Sequence, residues 1–363
     1  MLKTIICVVG TRPEAIKMVP VIRALEASTW ARCVVIATAQ HREMLDQMLQ
    51  RFNVVVDYDL NLMQANQGMS QLLACILSEL DNIIKKEKPH ALLAQGDTTS
   101  VLGSALAAFN AQIPFGHVEA GLRTYNLKHP FPEEGYRQMI SKIANWNFAP
   151  TELAANTLIK EGVLKEKVFV TGNTCIDTLL MTAEQLPLVN KRQEKILVLT
   201  VHRRENFGQP LENVFKTVIK ILENFKNVKV VYPVHPNPHV KNLAYSLLIH
   251  PRIILKDPLD YFDFIELLCQ ADLILTDSGG IQEEAPALGK PVFILRETTE
   301  RPEPVSAGRA KLVGTNKDYI YHEVSSLLLN ENLYRKMAKP YFPYGKGDAA
   351  EKIISILQSE LKV

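Results

Sequence analysis

Several familiar signatures are missing from this 363-residue chain, and each absence removes a class of function. No GxGxxG follows the first strand-like run, so a nicotinamide cofactor is not indicated. No GxxxxGKS/T is present, which argues against nucleotide hydrolysis of the P-loop type. HExxH is absent and the histidines and cysteines keep no zinc spacing, so no metal site is expected. The five cysteines, Cys7, Cys33, Cys75, Cys175 and Cys269, form no CxxC and sit in or beside apolar runs, as reduced thiols in a cytoplasmic protein do. No apolar run is long enough to span a bilayer, and Met1-Leu2-Lys3 leads straight into a strand without a cleavage region. The expectation is a soluble intracellular protein with no membrane attachment. Charge of one sign is also lacking. Lys and Arg total 41 against 39 Asp and Glu, which argues against a nucleic-acid partner bound through bulk charge.

What is present is a repeated alternation of short apolar runs with helical patterns. Ile5-Ile6-Cys7-Val8-Val9, Cys33-Val34-Val35-Ile36-Ala37, Ala91-Leu92-Leu93-Ala94, Pro114-Phe115-Gly116-His117-Val118 and Val168-Phe169-Val170 read as strands. Helical patterns lie between them at 14–27, 69–86, 100–110, 133–145 and 151–160. Strands that are apolar throughout belong to a parallel sheet covered on both faces. After a polar, weakly periodic stretch at 186–194 the pattern restarts with Ile196-Leu197-Val198-Leu199-Thr200 and continues through 228–231, 253–255, 273–275 and 292–294. The fold class expected is α/β, two Rossmann-like domains with parallel sheets facing a central cleft. The boundaries are 1–180 for the first domain and 195–348 for the second. Ligands of such sheets bind at the carboxyl ends of the strands.

Those ends carry the polar motifs. Asp277-Ser278-Gly279-Gly280 stands between a buried strand and a helix start. There glycines permit close backbone approach, and unpaired helical N–H groups and the helix dipole favour an anion. This reads as a nucleotide-diphosphate site, with Glu283 or Glu284 in the first turn reaching ribose hydroxyls. Gly10-Thr11-Arg12-Pro13 follows the first strand, and Arg12 and Lys17 lie within reach of one anion, although a capping turn with two solvated cations has the same pattern. Asp97 is either a helix N-cap or, since Thr98 or Thr99 could cap instead, a reactive carboxylate. His117 and Glu119 fall on one face of an extended strand by alternation. Glu133 and Arg137 share a helix face, which an ordinary ion pair would also explain. Asp97, Glu119 and Glu133 thus gather at one sheet, where carboxylates in a cleft act as proton shuttles. His202-Arg203-Arg204 opens the second domain with the groups that suit a pyrophosphate leaving group. Pro233-Val234-His235-Pro236 reads as a rigid strand exit with a core histidine, and the charge-dense 296–303 as a lining of the same site.

Taken together, GTRPEAIK (10–17), AQHREMLDQ (39–47), GDTTS (96–100), HVEAGLRT (117–124), PFPEEGYR (130–137), FAPTELAANTL (148–158), VTGNT (170–174), HRREN (202–206), DSGGIQEEAPALGKPV (277–292) and TTERPE (298–303) resemble the non-hydrolysing UDP-N-acetylglucosamine 2-epimerases, in order along almost the whole chain. The resemblance implies the glycosyltransferase-B architecture, with a C-terminal helix at 349–363 packing back on the first domain. It implies inversion at C2 of UDP-N-acetylglucosamine through a 2-acetamidoglucal and bound UDP, with no cofactor, and a homodimer. Carried over position by position, Asp97, Glu119 and Glu133 match the family's essential carboxylates and His202 the histidine that assists UDP departure. Arg12 and Lys17 match cations of the first-domain phosphate side. Ser278, Gly279 and Gly280 match the pyrophosphate cradle, Glu284 the ribose contact, Arg301 the cleft arginine and Phe264 a uracil-side residue. Leu259 stands where several members carry glutamine. Gln40, Glu133, Arg203 and His235 match a site where many members bind a second substrate molecule as activator, while Glu43 and Asn66 depart from it. The rival readings are a glycosyltransferase of the same fold, a hydrolysing epimerase, an epimerase of a modified UDP-sugar, and a nucleotide-sugar sensor without turnover.

Overall fold

Strands that are apolar on both faces can bury both only between helix layers, and the chain repeats that solution twice. The computed structural model describes residues 2–38, 42–63, 67–187, 192–299 and 301–362. It divides into one unit of Met1–Thr178 with Tyr344–Val363 and a second of Leu179–Pro343.

The first unit runs β1 (Lys3–Val9), α1 (Arg12–Glu26), β2 (Ala31–Ala37), α2 (Arg42–Arg51), β3 (Tyr58–Asp59), α3 (Met69–Glu87), β4 (Ala91–Gln95), α4 (Thr99–Asn110), β5 (Phe115–Val118), α5 (Glu133–Ile143), β6 (Trp146–Ala149), α6 (Glu152–Lys160), β7 (Val168–Val170) and α7 (Thr174–Ala183), the last continuing into the second unit. Its seven strands are ordered β3-β2-β1-β4-β5-β6-β7 and pair in parallel. Ile6, Val8, Ile36, Leu92 and Phe115 from the sheet pack with Ile76, Leu80 and Leu102 from the helices. Each such burial contributes about 1.5–3 kcal/mol.

The second unit runs β8 (Lys195–Thr200), α8 (Gln209–Asn224), β9 (Val228–Pro233), α9 (Pro238–Leu247), β10 (Ile253–Lys256), α10 (Tyr261–Gln270), β11 (Leu273–Thr276), α11 (Gly279–Ala287), β12 (Val292–Ile294), α12 (Pro302–Ser306), β13 (Ala310–Leu312), α13 (Lys317–Leu329) and α14 (Glu331–Met337). Its six strands are ordered β10-β9-β8-β11-β12-β13, again parallel. Leu197, Leu199, Phe215, Tyr232, Leu275 and Phe293 form the centre of its core. The last helix, α15 (Ala349–Glu360), belongs to the first unit and packs on α1. The expected α/β class with two parallel, Rossmann-like sheets is what the chain forms.

In each sheet the strand order reverses at one place, between β1 and β4 in the first and between β8 and β11 in the second. The loops leaving two such strands diverge to opposite faces and open a crevice between them. The crevice at β1/β4 is bounded by Gly10-Thr11-Arg12 and Gly96-Asp97-Thr98. That at β8/β11 is bounded by His202-Arg203 and Asp277-Ser278-Gly279. Among the described residues no helix is long and apolar enough to cross a membrane.

Candidate active site

In the first unit α1 begins where β1 ends. Thr11 takes the N-cap position, its hydroxyl accepting from Glu14 N at 3.4 Å, and Pro13 lies in the first turn. Arg12 is the half-buried first residue of that helix. The buried Glu14 carboxylate turns back and accepts the Gly10 N–H through Oε2 at 2.6 Å. Burial pushes its carboxyl up to about 7, against the Gly10 N–H and the nearby polar groups of Thr98 and Thr11, which favour the charged form. Thr98 is close enough to ease that charge, yet Glu14 Oε1 and Thr98 Oγ1 are not aligned as a hydrogen-bonded pair.

Lys17 sits one turn further along α1, and its ammonium meets the Glu119 carboxylate. It is therefore engaged by a carboxylate of its own unit, a partner that the motif reading, which aimed it at a phosphate, did not include. Gln95 Nε2 donates to Glu119 Oε1 at 3.2 Å and Asn173 Nδ2 to Oε2 at 2.9 Å. The alternation argument for Glu119 fails here. β5 ends at Val118 and Glu119 has φ +66°, so the strand does not continue through it. A non-glycine residue in the left-handed region costs of order 1–3 kcal/mol, which the surrounding bonds offset.

Asp97 is not an N-cap. Its carboxylate pairs with the Arg137 guanidinium from α5, and Thr98 occupies the cap position without a side-chain cap bond. Arg137 also has Glu134 at 3.7 Å, and among the described residues its ion pairs are with Asp97 and Glu134 and not with Glu133. Glu134 is fully buried and accepts Thr124 N at 3.0 Å, Tyr125 N at 3.1 Å and Gln138 Nε2 at 2.7 Å. Burial opposes its charge, but those donors and Arg137 outweigh it and hold the carboxyl below its ordinary range. Glu134 thus fastens the 124–132 loop to α5. Glu133 opens α5 half-buried, with Oε2 buried and without a hydrogen-bond partner among the described residues. Behind Asp97, His117 is fully buried with Nε2 2.7 Å from Gly96 O. A carbonyl only accepts, so Nε2 carries the proton. Burial pushes the ring down to about 4 and keeps it neutral.

The second unit is organised by Asp277, which is fully buried at the end of β11. Its carboxylate accepts His202 N at 3.0 and 3.1 Å, Arg203 N at 2.9 Å and Asn206 Nδ2 at 2.9 Å, while Arg203 Nε donates to its carbonyl at 3.0 Å. His202 Nδ1 lies 3.2 Å from Oδ1, and the His202 and His235 rings stack with centroids 5.5 Å apart. Burial lowers the His202 pKa, Asp277 opposes this, and His235 and Arg203 add to the lowering. Nδ1 of the neutral ring thus faces the Asp277 carboxylate, whose charge favours the proton on that nitrogen. His235 is exposed rather than a core histidine, and its Nδ1 accepts Asn237 N at 3.2 Å.

Ser278 is the N-cap of α11 and makes no side-chain cap bond, and its N–H goes to Thr276 Oγ1 at 2.9 Å. A Cβ on Gly279 would come within 2.7 Å of Arg301 Nη1, so only glycine lets the guanidinium lie against this helix start. The positive end of α11, with Gly280 next in line, and Arg301 together favour a bound anion. Glu283 and Glu284 do not lie in the first turn, as the sequence reading had them, because α11 starts at Gly279 and its first turn has no acid. Glu283 is buried and takes Arg301 Nε, and Glu284 is half-buried. Phe264 is half-buried in the first turn of α10. Gln40 and Asn66 lie outside the described residues. Among the described residues no three His, Cys, Asp or Glu side chains gather as a metal site.

The motif reading passed over Asp277, Asn173 and Glu134 as partners, though each stands inside a motif it used, and Gln95, which directly precedes one. The available signal was a polar residue at a strand's carboxyl end, which Asp277 and Gln95 share with the residues it did choose.

Residues 23–358 match the model of the family described as UDP-N-acetylglucosamine 2-epimerase. The chain is 46% identical to the UDP-N-acetylglucosamine 2-epimerase of Salmonella typhimurium, over 98% of both chains. The crystal structure of UDP-GlcNAc 2-epimerase from Neisseria meningitidis bound to UDP-GlcNAc superimposes with a TM-score of 0.89 at 42% identity, covering 98% of this chain and 100% of that one. The Methanocaldococcus jannaschii UDP-GlcNAc 2-epimerase in complex with UDP-GlcNAc and UDP gives 0.78 at 33%, covering 98% and 99%. A family match over most of the chain and this identity across both Rossmann-like domains, each with its own polar crevice, place the chain in the UDP-N-acetylglucosamine 2-epimerase family.

Proposed function

We propose that this chain catalyses reversible inversion at C2 of UDP-N-acetylglucosamine, giving UDP-N-acetylmannosamine. A base takes the C2 proton as the bond from C1 to the UDP oxygen breaks. This forms the C1–C2 double bond of a 2-acetamidoglucal and leaves UDP. Protonation of C2 on the other face and return of UDP to C1 complete the cycle. The observation that carries the reading is near-full-length identity to relatives described by this activity. Three carboxylates, Asp97, Glu119 and Glu133, after strand ends of one sheet suit a reaction that must serve two faces of one carbon. Glu133 Oε2, without a hydrogen bond, is the oxygen that can accept a proton without breaking one.

The UDP side is assigned to Ser278, Gly279, Gly280, Arg301 and His202, with Arg12 as the cation of the first unit, Glu284 at the ribose and Phe264 at the base. His202 is neutral before the reaction, and the charge that develops on departing UDP favours its protonation at Nε2. A second UDP-N-acetylglucosamine acting as activator at Gln40, Glu133, Arg203 and His235 predicts sigmoidal substrate dependence. A hyperbolic curve at all concentrations counts against it. We further assign a homodimer and a cytoplasmic location, the latter consistent with the cysteines being free thiols.

The test is proton NMR of the purified protein with UDP-N-acetylglucosamine in deuterated water, with no metal or nicotinamide added. The expected result is UDP-N-acetylmannosamine carrying deuterium at C2. Asp97→Asn, Glu119→Gln and Glu133→Gln should each lower turnover by about 10²–10⁴-fold. An unchanged spectrum with UDP binding demonstrated overturns the assignment for this sugar.

A further inference from the structure

Glu119 sits on strained backbone at φ +66° and depends on its donors for orientation. Lys17 reaches it from α1, Gln95 from the end of β4 and Asn173 from the turn between β7 and α7, while the buried His117 of β5 is close enough to feel its charge. Asn173 differs from the other two in what else it holds. Its Oδ1 accepts Cys175 N at 3.2 Å, starting α7, and its own N–H donates to Tyr344 O at 2.6 Å. Tyr344 is the residue at which the chain re-enters the first unit. Next to this bond Gly172 and Gly345 meet back to back. A Cβ on Gly172 would stand 3.0 Å from both Gly345 Cα and Tyr344 O, and both glycines have φ near +100°, at +95° and +103°. The close approach that brings the returning chain onto Asn173 thus requires the absence of both side chains.

We propose that Asn173 is a positioning residue for the epimerisation, its amide orienting the Glu119 carboxylate while its backbone is fastened to the returning chain at Tyr344. The proposal rests on Glu119 being a catalytic carboxylate. A residue on a loop holds a reactive geometry only when a second set of bonds locks it, and Asn173 supplies that lock from a rigid junction. It is buried, so its bond to Glu119 is shielded from competing water.

Asn173→Asp separates this role from helix capping. It keeps the oxygen that accepts Cys175 N and the backbone bond to Tyr344, but replaces the N–H facing Glu119 with an oxygen. The expected result is a fall in kcat of about tenfold or more with KM little changed. The limb of the pH–kcat profile set by Glu119 should move to higher pH, because the carboxylate loses a donor and gains a like charge. By linkage the raised Glu119 pKa should lower the unfolding midpoint at neutral pH, a loss that fades as pH falls and the pair takes up a proton, whereas Asn173→Ala, which also removes the cap, should lower kcat and the midpoint at acid and neutral pH alike. Parental kcat and pH profile in Asn173→Asp, with Glu119→Gln inactive, overturns the proposal. So does a loss of kcat that only follows the folded fraction with no shift of the limb. Parental turnover in Glu119→Gln instead overturns the catalytic reading of Glu119, a failure read separately from that of Asn173.

Discussion

At the scale of single residues, the chemistry depends on buried carboxylates whose hydrogen bonds decide where other groups point. Asp277 is the clearest case, since three hydrogen-bond donors converge on its carboxylate and all belong to the 202–206 loop. Asp277→Asn replaces one oxygen by an NH₂ that faces the N–H groups of that loop, and it removes the negative charge beside His202 Nδ1. We expect kcat/KM to fall by about 10²–10³-fold, with UDP affinity reduced less, because the anion site at α11 remains. Turnover assays alongside UDP titration check this, and an active variant with the parental pH profile would show that His202 needs no such orientation. Motif reading found His202 and Ser278 but not the residue that joins them. A carboxylate that accepts backbone N–H groups from a loop 75 positions away leaves no local pattern.

At the scale of elements, packing between helices sets tolerances that propensity does not reveal. Gly103 of α4 faces Ile76 of α3, and an added Cβ would come within 2.6 Å of Ile76 Cγ2 and 3.2 Å of its Cβ. Alanine gains about 1 kcal/mol of helix propensity over glycine, while overpacking a dense core costs about 1–3 kcal/mol. Gly103→Ala should therefore lose about 1 kcal/mol net. Ile76→Leu, which removes the Cγ2 methyl, should restore part of the loss in the double variant. Urea unfolding of the four chains measures it, and additive effects would show that the contact is not the cause.

The long elements were legible because their periodicity is local. The helix read at 69–86 is α3 (Met69–Glu87), and the strand read at 91–94 is β4. β3, β6 and β13 went unread. β3 has two residues, too few for alternation, and β6 follows the helix of α5 after a short link, where Trp146-Asn147-Phe148-Ala149 carries no β-branched run. The stretch read as a linker at 186–194 includes residues 188–191, which lie outside the described residues.

For the whole molecule, stability carries a pH dependence that comes from groups beneath the site. Glu14 ionises near 4.5 in an unfolded chain and near 7 in the folded one. Between these values the folded state keeps a proton that the unfolded state has released, so stability falls as pH rises through the window. The full effect is about 3 kcal/mol. His117 acts in the opposite sense. Its folded pKa near 4 lies below the ordinary 6.5, so its contribution is present above 6.5 and is lost as pH falls toward 4. Glu14→Gln removes only the first term, and its amide oxygen can still accept the Gly10 N–H. Relative to the parent, this variant should gain stability steadily from pH 4.5 to 7, by up to about 3 kcal/mol. Denaturant midpoints of both chains across that range test it, and a constant difference would mean that Glu14 titrates alike in the folded and unfolded chain.

The amino-acid sequence by itself determined the alternation of apolar strands with helices, the two parallel sheets and the placing of polar motifs at strand ends. These are properties of neighbouring residues, set by side-chain periodicity and backbone sterics. Only the tertiary structure decided which charges meet. Lys17 stands on Glu119 across 102 positions, Arg137 leaves Glu133 for Asp97 across 40, and Asn173 bonds both Glu119 and the carbonyl of Tyr344. Each pairing follows from strand order and loop direction. Ion pairs and hydrogen bonds act over a few ångströms in space, and separation along the chain carries no record of them.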